Sequence, residues 1–199
     1  AWVVWVSTIE PEGDRVLAAR RGAEGWGEPE VVTPSPGMYL RPVVERSGDA
    51  LVAVWTATGG ETGLWSACRT AAGWSAPERV SPAGGHDMNP EICAAPGGGL
   101  WIVWQSQTGE GFDLFLASRG AGGAEGGWSE PVRLTELAGN DWDPSIACDS
   151  KGKLWIVWSA YRDFDYDLHV VTFANDERSA ERTLTDHGAY DLHPALAID

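Results

Sequence analysis

The chain has 199 residues, 43% of them hydrophobic, with 12 tryptophans, so material for a core is ample and intrinsic disorder is excluded. A formal charge of -15 with only 14 Lys and Arg excludes a phosphate-neutralising nucleic-acid surface and disfavours contact with an anionic membrane. No apolar stretch approaches the roughly 20 residues of a membrane-spanning helix, and the acidic balance suits a periplasmic or secreted protein.

Taken in chain order, the sequence repeats itself. It opens inside a strand-like run, AWVVWV, without an initiator methionine, which reads as a processed chain or a piece of a longer one. The run closes on Trp5. A GW-x-x-P turn follows (Trp26 to Pro29), then EVVTP, a short polar-edged strand. Pro42 opens PVVER, a glycine turn leads into LVAVW closing on Trp55, and a second GW-x-x-P turn (Trp74 to Pro77) leads into ERVSP. Pro90 opens PEICAA, LWIVW closes on Trp104, and a third turn (Trp128 to Pro131), preceded by the glycine-rich AGGAEGG, leads into VRLTE. Pro144 opens PSIACD, followed by LWIVWSAY around Trp158, the polar link RDFDYD, DLHVVTF, and RTLTD. Pro194 then opens PALAID at the C-terminus.

The strand-closing tryptophans recur at intervals of 50, 49 and 54 residues. Repetition on this scale signals a propeller or a solenoid, and four extended pieces per repeat with no helical periodicity describe a propeller blade. The unbroken LWIVW runs imply burial on both faces, prolines suit the first position of a strand, and Thr with charge suits an outer edge. The tryptophans read chiefly as apolar plates wedged between blades. The fold expected is all-β: a β-propeller of four four-stranded blades of about 50 residues, with repeats at 1–41, 42–89, 90–143 and 144–193. Residues 194–199 would supply the first strand of the first blade, either within one chain or exchanged between two chains as a homodimer, or the chain would be half of a longer propeller. The three cysteines, Cys68, Cys93 and Cys148, form no C-x-x-C and read as core fillers rather than a disulfide framework or zinc site.

Chemistry concentrates in the inter-blade links. Three residues before each opening proline stand Tyr39, Asp87, Asp141 and Asp191; immediately before the prolines stand Arg41, Asn89, Asp143 and His193. With His86, Trp142, Tyr190 and Arg162 these make an acidic, aromatic face around the central channel. Asp87, Asp141 and Asp191 could ring the channel mouth and hold Ca²⁺ through oxygen ligands, or cap turns by accepting backbone N–H groups. Asp163, Asp165 and Asp167 form a D-x-D-x-D run that resembles the start of a calcium loop, but Leu168 stands where the tight turn needs glycine. No G-x-S-x-G, H-E-x-x-H or phosphate-binding glycine loop is present, so no catalytic residue is assigned. A sialidase-type site wants three arginines on a carboxylate, and only Arg41, with Arg162 as a second, is offered; this argues against a glycosidase.

Residues 128 to 199 resemble the TolB-type, WD40-like propeller repeat. The resemblance rests on RLTELAGNDWDPSIACDSKGKLWIVWSAYRDFDYDLHVV and TLTDHGAYDLHPALAID, followed more loosely by the first half. The WS-x-P turns and GLWIVW strands also resemble sialidase-like propellers, whose Asp-box is echoed by CDSKGKLW with displaced spacing. TolB-type blades imply protein-binding modules or the gating propeller of a peptidase. The resulting expectation is a non-enzymatic binding or scaffold module for a protein or glycan ligand. The alternatives are a carbohydrate-binding or sialidase-like propeller, with Trp142 stacking on sugar rings, and the gating propeller of a hydrolase.

Overall fold

A computed structural model describes residues 1–109, 111–121, 126–174 and 177–198. Within them there is no helix; the strands form four antiparallel sheets whose order follows the chain. The first contains β1 (Trp2–Ile9), β2 (Gly13–Gly22), β3 (Gly25–Trp26) and β4 (Glu30–Val31). The second contains β5 (Met38–Ser47), β6 (Ala50–Thr58), β7 (Gly63–Thr70), β8 (Gly73–Trp74) and β9 (Glu78–Arg79). The third contains β10 (Asp87–Ala94), β11 (Leu100–Thr108), β12 (Gly111–Arg119) and β13 (Val132–Arg133). The fourth contains β14 (Asn140–Cys148), β15 (Leu154–Arg162), β16 (Asp165–Ala174), β17 (Glu177–Arg178) and β18 (Arg182–Thr183).

Successive sheets pack face to face, which is why their second strands tolerate no polar alternation. Leu100, Ile102 and Trp104 of β11 pack with Val52, Val54 and Leu64 of the second sheet, while Val103 and Trp101 turn to the fourth. Trp55, Trp104 and Trp158 lie in the three inter-sheet cores at 1%, 1% and 0% exposure. Cys68 and Cys93 fill two of these cores; no cysteine is in a disulfide, and burial pushes the Cys93 thiol up to about 12.

The outer strand, expected as one piece, is broken in two. The first two GW turns are themselves short strands, β3 and β8, paired with one end of β2 and β7, the third makes a single bridge between Trp128 and Arg119, and proline, lacking an N–H, interrupts the ladder before pairing resumes. Side chains bridge the interruption. The hydroxyls of Ser75, Ser129 and Ser179 accept the N–H of Cys68, Ser118 and Thr172. Farther along, Thr33, Ser81, Thr135 and Thr185 accept from Val16, Leu64, Leu114 and Leu168 at 2.9–3.0 Å. The seams between sheets are also latched. Arg69 holds Glu30 through two hydrogen bonds of 2.5 and 2.7 Å, Trp74 Nε1 donates to the same carboxylate, and Arg119 pairs with Glu78 one sheet later. Of the glycine-rich stretch at 121–127, residues 122–125 lie outside the described residues.

In the first sheet, β1 pairs with β2 alone among the described residues. The C-terminal segment 192–198 carries no strand pairing to β1. It lies on the fourth sheet, where His193 N and Leu196 N donate to Ser159 and Ser145 Oγ at 3.1 and 3.0 Å.

Candidate functional site at the inner strands

The innermost strands β5, β10 and β14 lie beside one another, and each is interrupted at the same place. Register shifts fall between Leu40 and Val43, Met88 and Glu91, and Trp142 and Ser145, so the pre-proline residue and the proline leave the ladder. Arg41, Asn89 and Asp143 there adopt left-handed backbone angles of φ 46°, 55° and 47°, and His193, before Pro194, does so at 56°. Four side-chain-bearing residues in this sparsely populated region, at one repeat position, mark stored strain of the kind that clusters at functional sites.

Three of them, Asn89, Asp143 and His193, meet. Asp143 Oδ2 lies 2.8 Å from His193 Nδ1, and Asp143 Oδ1 accepts from Asn89 Nδ2 at 3.1 Å. The fully buried Gln105 supports them from below: its Oε1 accepts from Asn89 Nδ2 and from Asp143 N, both at 3.0 Å. Ser159 does the same for His193 N. Gln105 and Ser159 each directly follow a core tryptophan, a repeat position whose polar residues sequence reasoning passed over although the signal was present. A second missed residue is Glu91, two positions beyond Asn89 on β10. Burial raises its carboxyl above the usual carboxylate range, opposed in part by the positive charge of Arg41.

The row three residues before the prolines behaves differently. Asp87 Oδ1 accepts from Trp104 Nε1 at 3.1 Å, and Asp141 Oδ1 accepts from Trp158 Nε1 at 2.8 Å and from Arg162 at 2.7 Å. These carboxylates latch core tryptophans; burial raises the Asp141 carboxyl, with Arg162 opposing. Tyr39, at the same position, meets Trp55 edge to face at 6.4 Å. Asp191 donates its backbone N–H to Tyr166 O, with His187 Nε2 3.5 Å from its carboxylate. Among the described residues no group of three or more His, Cys, Asp or Glu side chains is arranged to hold a metal ion. In the D-x-D-x-D run, Asp163 sits in the β15–β16 hairpin turn, while Asp165 Oδ1 accepts from Tyr166 N and Asp167 Oδ1 from Thr185 Oγ1. Trp142 is half-buried against Phe112, ring centroids 4.5 Å apart, and so is not the exposed platform expected. Arg162 is drawn inward by Asp141, whereas Arg41, His86 and Tyr190 are exposed.

No protein-family model and no curated protein matches the sequence. Solved structures do match. The GH93 α-L-arabinofuranosidase of Fusarium graminearum, in complex with arabinobiose, is 13% identical over 98% of this chain and 62% of its own, with a TM-score of 0.60. The endo-arabinase from Bacteroides thetaiotaomicron is 13% identical over 92% of this chain and 80% of its own, with a TM-score of 0.55. The exo-β-1,3-galactanase from Phanerochaete chrysosporium is 11% identical over 92% of this chain and 47% of its own, also at 0.55. The fold is a β-propeller. This chain spans less than two thirds of the arabinofuranosidase it resembles. Two expectations are corrected. The TolB-type assignment is not supported, because its repeat pattern reports the blade fold rather than the family. The reading as a non-enzymatic binding and scaffold module is overturned by neighbours that are glycoside hydrolases with carbohydrate ligands, which favour the carbohydrate alternative.

Proposed function

We infer that the propeller binds carbohydrate at the mouth of its inner strands and that this site hydrolyses glycosidic bonds in neutral polysaccharides. The observation that carries the reading is the contact of Asp143 with Asn89 and with His193, three residues from successive repeats, with Glu91 two positions beyond Asn89 on β10 and within reach of the Arg41 charge. The shortage of arginines, read from the sequence as an argument against a glycosidase, bears only on a sialidase, whose substrate is a carboxylate. Arabinose and galactose units are uncharged, so a site for them needs carboxylates and amides to accept and donate to hydroxyls, and these are what the inner strands carry. A periplasmic or secreted location suits a polysaccharide substrate.

Two carboxyl groups of different character suit glycoside hydrolysis. Glu91, whose burial favours the protonated form, donates its proton to the glycosidic oxygen as the bond to the anomeric carbon breaks. Asp143, held by His193 and Asn89, takes a proton from the water that attacks that carbon. Proton transfer by one positioned group contributes typically 10²–10⁴-fold. The test is release of reducing ends from linear arabinan and from β-1,3-galactan. Asp143→Asn and Glu91→Gln are each expected to lower the rate by about 10²-fold or more with the melting transition retained. Wild-type rates unchanged in both variants would refute the assignment.

A further inference from the structure

The β15–β16 hairpin of the fourth sheet differs from its counterparts in a way the fold does not require. Its last ladder pair is Arg162 with Asp165, so Asp163 and Phe164 form a two-residue turn, both at positive φ (47° and 68°). Such a turn ordinarily takes Asn-Gly or Gly-Gly, because a β-carbon is strained there; the matching links of the second and third sheets use Gly59 and Gly109 at positive φ. Here the strained turn presents a phenylalanine that is 86% exposed. An apolar ring held in water on a strained backbone calls for a ligand.

The surroundings of Phe164 point to its chemistry. Tyr161 and Tyr166 face each other across the ladder at the base of the hairpin, ring centroids 4.7 Å apart, and Tyr190, 67% exposed, meets Tyr166 edge-on at 5.5 Å. Tyr190 is positioned by its neighbour Asp191, whose N–H donates to Tyr166 O. Tyr161 lies two residues beyond Ser159 on the same face of β15, about 7 Å along the strand, and Ser159 is the residue that holds His193 N. The aromatic group is therefore continuous with the inner-strand cluster. Phenyl and phenol rings offer apolar faces and hydroxyl edges together, matching a sugar ring with its C–H faces and peripheral hydroxyls. The chain's strong negative charge makes an anionic ligand a poor match.

We propose that Phe164, with Tyr190 and the Tyr161–Tyr166 pair, forms an outlying subsite that stacks a sugar ring of a neutral oligosaccharide extending outward from the inner-strand site. The proposal rests on the carbohydrate reading above and adds chain-length selectivity to it. The test is calorimetric titration with arabinobiose, linear arabinopentaose and β-1,3-galactotriose, in a Glu91→Gln background and in that background carrying Phe164→Ala or Phe164→Trp. Arabinopentaose is expected to bind more tightly than arabinobiose. Phe164→Ala should weaken the pentaose about tenfold while leaving arabinobiose within about twofold, and Phe164→Trp should restore the pentaose affinity. Pentaose affinity untouched by Phe164→Ala, or equal affinity for the two arabino-oligosaccharides, overturns the subsite and leaves the carbohydrate reading standing. Absence of binding to all three sugars, in wild type as well, overturns both.

Discussion

Asp141 has no solvent exposure, and the same oxygen accepts from the Trp158 indole and the Arg162 guanidinium. Removing the carboxylate leaves a buried indole N–H without an acceptor and a half-buried guanidinium without its counter-charge. Loss of one partner from a buried pair costs about 3 kcal/mol or more. Asp141→Ala is therefore expected to lower the melting temperature by about 6–12 °C at this chain length, read by thermal denaturation. Asp87 makes the matching bond to Trp104 without an arginine, so the latch belongs to the repeat and the cation to the fourth sheet. At this scale the sequence reveals which positions recur but not where their side chains turn. Asp143 and Asp141 are two residues apart, yet one joins the inner cluster and the other a tryptophan, because Asp143 lies in the bulge and Asp141 in the ladder just before it.

Among the elements, the outer strands depend on single side chains rather than on ladder length. Each paired piece is two residues long, too short to hold its own register, and the following Thr or Ser extends it by accepting a third-strand N–H. Thr135 is fully buried; it accepts from Leu114 N at 2.9 Å and donates to Asp113 Oδ1 at 3.3 Å. Thr135→Val keeps the shape and leaves a buried N–H unsatisfied, at a cost of about 1–3 kcal/mol. The loss should appear in denaturant titration as a lower midpoint with unchanged slope, and Thr135→Ser should recover most of it. The Thr and Ser of VTP, VSP, RLT and TLT were visible in the sequence as edge residues. Their role as acceptors was not, because it requires knowing that proline and the GW turn split the strand.

Across the molecule, sheets are joined by buried tryptophans, which do not titrate, and by ion pairs at the seams, which respond to acid. Glu30, half-exposed, is held below the usual carboxylate range chiefly by its hydrogen bond to Arg69. A depressed carboxylate stabilises the fold above its unfolded-state range, near pH 4, and that contribution is lost as pH falls through the folded value. Glu30→Gln should cost at most about 1 kcal/mol at neutral pH, roughly 2–4 °C, with the gap from wild type closing on acidification; a pH series of melting curves checks this. The sequence by itself determined the all-β repeat, the packing faces and the core tryptophans, because strand periodicity and tryptophan spacing are local properties repeated along the chain. It also brought Arg41, Asn89, Asp143 and His193 into one row. Only the tertiary structure decided that Asp143, Asn89 and His193 come into contact while Tyr39, Asp87 and Asp141, two residues earlier in their repeats, meet core tryptophans. Only it singled out Phe164 among the chain's aromatics as a ring held out on a strained turn. Backbone sign at a single residue, and contact across residues some 50 apart in sequence, are fixed by sheet packing rather than by any local pattern.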